Sequence, residues 1–300
     1  MTSLLRLTNK LYRRIKTFLL THRPPVITPL FFLLLQFLDK KMAHRKQSEI
    51  ERCTDLLWRQ NYFARFPKNS PHRIFVRTNH PVAYASDDHL LPRGSINDNS
   101  RNARFNVKLY QFLNFPETIY LMDFGCAGGG FVRSMLEDGH VAIGLEGSDH
   151  AKRSLLGEWG NIPHHLFTCD VTKDFAVIDL QNKPVIFDVI TAWEVFEHIA
   201  EEEVAGLLRR IALHLQLGGY FICSIDLLPD GNPLTGAVYH KTLRPADWWR
   251  GAFKEQGFEI RDDHPFVMED FVRGNGSSLK DWVPNENSGI HIVAQLKRAI

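Results

Sequence analysis

From residue 105 to the C-terminus, short apolar runs alternate with polar, turn-rich stretches. Ile119 to Met122, His140 to Leu145, His165 to Thr168, Val185 to Ala192 and Tyr220 to Ile225 each read as a buried strand, being short, apolar and bounded by turn residues. Phe258 to Arg261 and Ile290 to Leu296 read as two more. Helices are expected over Asn102 to Leu113, over Phe131 to Leu136, and from Pro245-Ala246-Asp247 onward, proline being favoured in a first turn. The first five strands run into polar residues, which puts those residues on one edge of a parallel sheet.

A different pattern precedes this region. Leu4, Leu5, Leu7, Leu11, Ile15, Phe18 and Leu19 recur at helical spacing among Arg6, Lys10, Arg13, Arg14 and Lys16, which makes a basic amphipathic helix. Pro24-Pro25 ends it. Val26 to Leu38 is apolar apart from Thr28, Pro29 and Gln36, and is too short to cross a bilayer unaided. Residues 1–46 carry ten Lys/Arg against Asp39 alone, a net +9; the rest carries 26 Lys/Arg and 33 Asp/Glu, a net −7. Three readings stand. The arm is a peripheral membrane anchor favouring anionic lipid, or a pair of helices packed on the body with solvated cations, or a signal peptide. The last fits loosely, because the apolar run starts late and no small-residue cleavage site follows.

Residues 47–104 lead from this arm into the fold at 105–300. Gln47 to Tyr62 reads as helix. Phe66 to Ser100 is rich in Pro, Asn, Asp and His and keeps no period. Asp87, His89, Arg93 and Asp98 either line a substrate mouth or cap local backbone on a surface loop.

Composition is that of an ordinary soluble protein, and 300 residues suffice for a sizeable core. Cys53, Cys126, Cys169 and Cys223 are widely spaced, which points to reduced thiols and a cytoplasmic setting, without a disulfide framework or a cysteine zinc site. The acidic body is a poor match to a nucleic-acid-gripping face and lacks an aromatic–basic stripe.

The chemistry concentrates after the strands. Met122-Asp123-Phe124-Gly125-Cys126-Ala127-Gly128-Gly129-Gly130 joins the first strand to a helix through a glycine turn, whose helix N-terminus is expected to face a nucleotide-like ligand with unpaired N–H groups. Glu146 ends the second strand, about 20 positions on, where an acid commonly bonds ribose hydroxyls. Cys169-Asp170 ends the third, and Trp193-Glu194-Val195-Phe196-Glu197-His198 follows the fourth. Gly125-x-Ala127-x-x-Gly130 with Glu146 also fits a nicotinamide dinucleotide enzyme. That reading gives no reason for Asp123, Asp170 and the Glu194 to His198 run together.

The series Asp123 to Gly129, Glu146-Gly147-Ser148, Cys169-Asp170-Val171, Phe187 to Ile190 and Leu217-x-Gly219 resembles the class I S-adenosylmethionine-dependent methyltransferases. It departs at Ala127, where that family usually has glycine. The resemblance implies a doubly wound α/β sheet of seven strands, ordered 3-2-1-4-5-7-6 with the last antiparallel. It implies a cofactor site of Asp123, Gly125, Cys126, Ala127, Gly128, Gly129, Glu146, Gly147, Asp170, Val171, Trp193 and Glu194. The alternative from another class is a non-catalytic scaffold with the same fold.

Glu194-x-x-Glu197-His198 is similar to a run in the ubiquinone-pathway O-methyltransferases and the small-RNA 2′-O-methyltransferases, where these residues bind a metal. On a helix the three would share one face. His240, in the loop after the fifth strand, is the nearest further imidazole. Glu194, Glu197, His198 and His240 thus form a candidate site for magnesium or manganese. Without a metal, His198, His240 and Glu197 are the candidate acid–base groups. The expected acceptor is a hydroxyl of a small molecule or glycan building block, reached from S-adenosylmethionine, rather than nucleic acid.

Overall fold

A computed structural model describes residues 73–87, 89, 92, 98–274 and 288–298. The expectations for residues 1–46, the helix Gln47 to Tyr62, Arg93 and Cys53 lie outside these residues.

The apolar runs form the sheet expected of them. β2 (Tyr120–Phe124), β3 (Val141–Glu146), β4 (Leu166–Thr168), β6 (Phe187–Trp193) and β7 (Leu215–Asp226) lie parallel; β10 (Phe258–Ile260) and β11 (Gly289–Leu296) complete a seven-stranded sheet. The order is β10-β11-β7-β6-β2-β3-β4, with β11 antiparallel to both its neighbours. This is the order 3-2-1-4-5-7-6.

Helices α1 (Ala103–Phe112), α2 (Gly130–Glu137), α3 (His150–Ser154), α4 (Glu201–His214) and α5 (Ala246–Glu255) accompany the strands. The Asn102 side chain caps α1 by accepting from the Arg104 N–H. Three glutamates, Glu201 to Glu203, open α4, where negative charge suits the helix dipole. On one side of the sheet Phe196, Phe221, Trp249 and Phe253 pack together; Trp249 is buried while Trp248 packs at the margin. On the other, Phe105 meets Phe131, Trp193 and Phe266.

Three details depart from the sequence reading. The irregular lead-in holds a strand, β1 (Phe75–Thr78), paired antiparallel with β5 (Phe175–Ile178). The loop after β7 holds a small hairpin, β8 (Gly231–Asn232) with β9 (Ala237–Val238). The run after β6 is not an α-helix. Glu194 takes a left-handed φ of 55°, and only Phe196–His198 forms a single 3₁₀ turn. Glu194 therefore does not share a helical face with Glu197 and His198.

Among the described residues no helix is long and apolar enough to cross a membrane. Cys126, Cys169 and Cys223 are buried and free.

Candidate active site

A cavity of about 490 Å³ opens at the C-terminal ends of β2, β3 and β6. Its floor includes Gly125, Glu146, Gly147, Asp170, Val171 and Trp193. This is where ligands bind in open α/β sheets, and the size suits a nucleoside-like molecule. Ala83, Ala85, Ser86, His89 and Pro92 cover one side. The Ala83 N–H donates to the Gly147 carbonyl (2.8 Å), and the Ser148 hydroxyl donates to the His89 carbonyl. His89 lines the cavity. Asp87 instead accepts from the Val238 N–H (3.3 Å) and pairs with Lys241 (2.6 Å). Of the expected mouth residues, one thus faces the cavity, one ties the cover to the hairpin, and Asp98 lies further in.

Of the expected cofactor residues, Gly125, Glu146, Gly147, Asp170, Val171, Trp193 and Glu194 line the cavity. Asp123, Cys126, Ala127, Gly128 and Gly129 lie behind this lining. The glycine turn itself is spent on protein contacts. The Gly125 and Cys126 N–H groups donate to the Leu145 carbonyl, Ala127 to Glu146 Oε2 (2.9 Å), Gly128 to the Asp98 carbonyl (2.8 Å) and Gly129 to the Cys126 carbonyl (2.8 Å). The turn N–H groups of Gly125 to Gly129 are therefore taken by protein acceptors, while the first N–H groups of the helix, from Gly130 on, are the ones expected to face a ligand. The Asp98-Asn99 segment lies against the turn and takes the Gly128 N–H. A Cβ on Gly128 would stand 2.4 Å from the Asp98 carbonyl oxygen. At Gly125, φ is +66° and a Cβ would stand 2.4 Å from Val195 Cγ2, so only glycine fits.

The residues fit S-adenosylmethionine at two points. Glu146, at the end of β3 and 8% exposed, is held by the N–H groups of Ala127 and Ser148 (2.9 and 3.0 Å), which fixes its carboxylate at the cavity wall. The buried Trp193 indole N–H, in the cavity wall, has no hydrogen-bond partner. When bound, the cofactor supplies an activated methyl group.

Asp123 sits behind the site. Its Oδ1 accepts from the Thr191 hydroxyl (2.6 Å). Burial outweighs that bond and, with the charges of Asp98 and Glu146, pushes its pKa up to about 8. An unfolded aspartate ionises at about pH 4. The folded protein therefore holds a proton that the unfolded chain releases, and stability falls as pH rises from about 4 towards 8. Asp123→Asn, which keeps an oxygen for Thr191, should flatten that fall. Melting temperatures measured from pH 5 to pH 8 should decline less in the variant; parallel declines would contradict a proton on Asp123.

After β6, Glu197, His198 and His240 converge, with potential ligand atoms within 4.8 Å of one another. His198 lines the cavity. Its ring meets that of His240 edge to face at 4.9 Å. The Glu197 backbone carbonyl accepts from the N–H groups of Lys241 and Thr242 (2.6 and 3.1 Å), which draws the His240 loop against the turn after β6. Glu197 is fully buried. Its Oε1 accepts from the Asp226 N–H (3.0 Å), and its Oε2 has no hydrogen-bond partner. Burial first, then the neighbouring Glu194, raises its pKa well above the carboxylate range. His240 Nδ1 contacts the Leu228 carbonyl (2.5 Å). A carbonyl only accepts, so Nδ1 is the donor in this contact and Nε2 is the ring nitrogen left to face His198 and Glu197.

The fourth expected metal residue, Glu194, is not in this group. It pairs through Oε2 with Arg273 (2.8 Å), as its left-handed backbone dictates. Arg273 and Lys241 also line the cavity and were not singled out from the sequence. Arg273 carries no motif of its own, and its partners are 79 and 175 positions away.

With the geometry in place, comparison with known proteins agrees. Residues 99–266 match the methyltransferase domain family. The chain belongs to that family and is a class I S-adenosylmethionine-dependent methyltransferase. No curated protein gives a significant match. Solved structures similar to it include an S-adenosylmethionine-dependent methyltransferase from Mesorhizobium loti, at 19% identity and TM-score 0.42, covering 60% of this chain and 93% of that one. A second is phosphoethanolamine N-methyltransferase 2 of Haemonchus contortus, at 14% identity and TM-score 0.43, covering 65% and 52%. A third is magnesium protoporphyrin IX methyltransferase from Synechocystis, at 14% identity and TM-score 0.41, covering 64% and 81%. At these values the likenesses carry no argument about the acceptor.

Proposed function

We propose that the protein methylates a hydroxyl of a small molecule or glycan building block, with His198 as the proton acceptor. The observation that carries this reading is the position of His198. It is the one member of the Glu197, His198 and His240 group that lines the cavity. Methyl transfer is an in-line displacement, so the chain's task is alignment and removal of the hydroxyl proton. His198 takes that proton, His240 packs on its ring, and buried Glu197 backs both.

The same three residues would hold a divalent cation. A carboxylate oxygen without a hydrogen-bond partner and two imidazoles are suitable donors; magnesium or manganese would lean on Glu197 and on oxygens of water or acceptor, and the absence of a thiolate disfavours thiolate-seeking metals. Such a cation supplies Lewis acidity.

The acceptor is a neutral compound rather than nucleic acid. The two cations lining the cavity, Lys241 and Arg273, pair with three carboxylates, Asp87, Asp98 and Glu194, so together they offer no net positive charge to a phosphate backbone. Labelled S-adenosylmethionine offered with pools of polyhydroxylated neutral compounds should yield a labelled ether. Label appearing only in RNA would defeat this reading.

For residues 1–46 we propose peripheral contact with anionic membrane from the cytoplasmic side, supported by the net +9 and the apolar runs. The protein should sediment with anionic liposomes at low salt and less at high salt, because exposed charges are screened. Equal recovery with neutral liposomes would contradict it.

A further inference from the structure

The cluster around Arg273 has no part in the chemistry at His198, yet it is closely built. The guanidinium donates through Nη1 to Asp98 Oδ2 (2.7 Å) and pairs through Nη2 with Glu194 Oε2 (2.8 Å). Three segments therefore meet at one side chain: the entry to α1, the turn after β6 and the stretch leading away from Met268–Asp270. A guanidinium has five N–H donors in a planar fork, so these two contacts leave donors over.

The backbone carrying Arg273 is fixed from behind. Phe271 stacks on His291 of β11 with ring centroids 4.0 Å apart, and the His291 Nε2 lies 3.0 Å from the Arg273 carbonyl. Gly274 packs so closely that a Cβ there would stand 2.6 Å from Ser224 Cβ. Asp98 is fixed from the other side by the Gly128 N–H on its carbonyl.

The cofactor carries an α-amino acid at one end, a carboxylate beside an ammonium. The usual receptor for an anion in this fold is the glycine turn together with the first N–H groups of the helix it opens. Here those of Gly125 to Gly129 all have protein acceptors. The walls near Glu146, Asp170, Glu202 and Glu203 are acidic and repel a carboxylate. Lys241 is tied to Asp87 in the cover. Besides the first N–H groups of α2, Arg273 is a cavity-lining cation with donors to spare, and it is flanked by two carboxylates. A positive group between two negative ones is the charge complement of a zwitterion.

We propose that Arg273, with Glu194 and Asp98, clamps the amino-acid end of S-adenosylmethionine, Arg273 receiving the carboxylate and Glu194 the ammonium. The proposal rests on the cavity being the cofactor site. It makes Arg273 a cofactor-binding residue supplied from beyond the matched family region, which ends at residue 266.

Calorimetry with two probes tests it: S-adenosylhomocysteine, which has the amino-acid end, and 5′-methylthioadenosine, which lacks it. In Arg273→Ala, affinity for S-adenosylhomocysteine should fall about 10- to 100-fold, the scale of a lost charge-assisted bond. Affinity for 5′-methylthioadenosine should stay within about twofold, which also shows that the variant is folded. Arg273→Lys should recover part of the loss. Equal weakening of both probes would make Arg273 a structural tie, and an unchanged affinity for S-adenosylhomocysteine would place the carboxylate elsewhere; either overturns the clamp. If the unaltered protein binds neither probe, the cavity is not the cofactor site, and the clamp falls with that reading.

Discussion

His198→Ala should lower turnover about 100- to 10,000-fold, the span of general acid–base catalysis, while leaving affinity for S-adenosylhomocysteine intact. The side chain lines the cavity from the turn after β6, whereas Glu146 ends β3 and Asp170 follows β4, so its loss should remove the proton acceptor and leave the cofactor pocket in place. A chelator separates the two versions of the chemistry. With a cation held by Glu197, His198 and His240, chelation abolishes turnover and Glu197→Gln behaves like chelation. Without one, chelation does nothing, and the imidazoles act alone. Single-turnover rates with labelled cofactor measure both. Full activity in Glu197→Ala, His198→Ala and His240→Ala alike would remove the chemistry from this cluster.

Glu146→Ala should weaken S-adenosylhomocysteine binding at least about 100-fold, because a carboxylate bonding two ribose hydroxyls contributes two charge-assisted bonds. The loss has a second origin. The Ala127 and Ser148 N–H groups now resting on Glu146 would lose their acceptor, which loosens the wall of the cavity. Glu146→Gln keeps oxygen for one of them and should recover part of the affinity. Both variants are read by calorimetry, with melting temperature as the fold control. An affinity unchanged in Glu146→Ala would move the ribose away from β3.

Much of the frame was legible because buried parallel strands are written as apolar runs. β2, β3, β6 and β11 needed only length and punctuation, and Glu146 only its distance from the glycine turn. The seven-strand order came from resemblance and matches the sheet. What escaped was set by tertiary contact. β1 is four residues long and half-exposed, so it exists by pairing with β5 and leaves no periodic trace. Glu194 reads as helix start, but Val195 packs against Gly125 and Glu194 takes a left-handed backbone. That turn takes its side chain out of line with Glu197 and His198 and towards Arg273. The glycine turn was recognised by its residues, yet the segment lying against it, Asp98-Asn99, has no motif. Only the structure shows that the N–H groups of Gly125 to Gly129 are taken.

The central claim is that this cavity holds S-adenosylmethionine, and calorimetric titration of the full chain tests it most directly. The account predicts one saturable site for S-adenosylhomocysteine and no heat with a nicotinamide dinucleotide. Binding of the dinucleotide with no response to S-adenosylhomocysteine would contradict it.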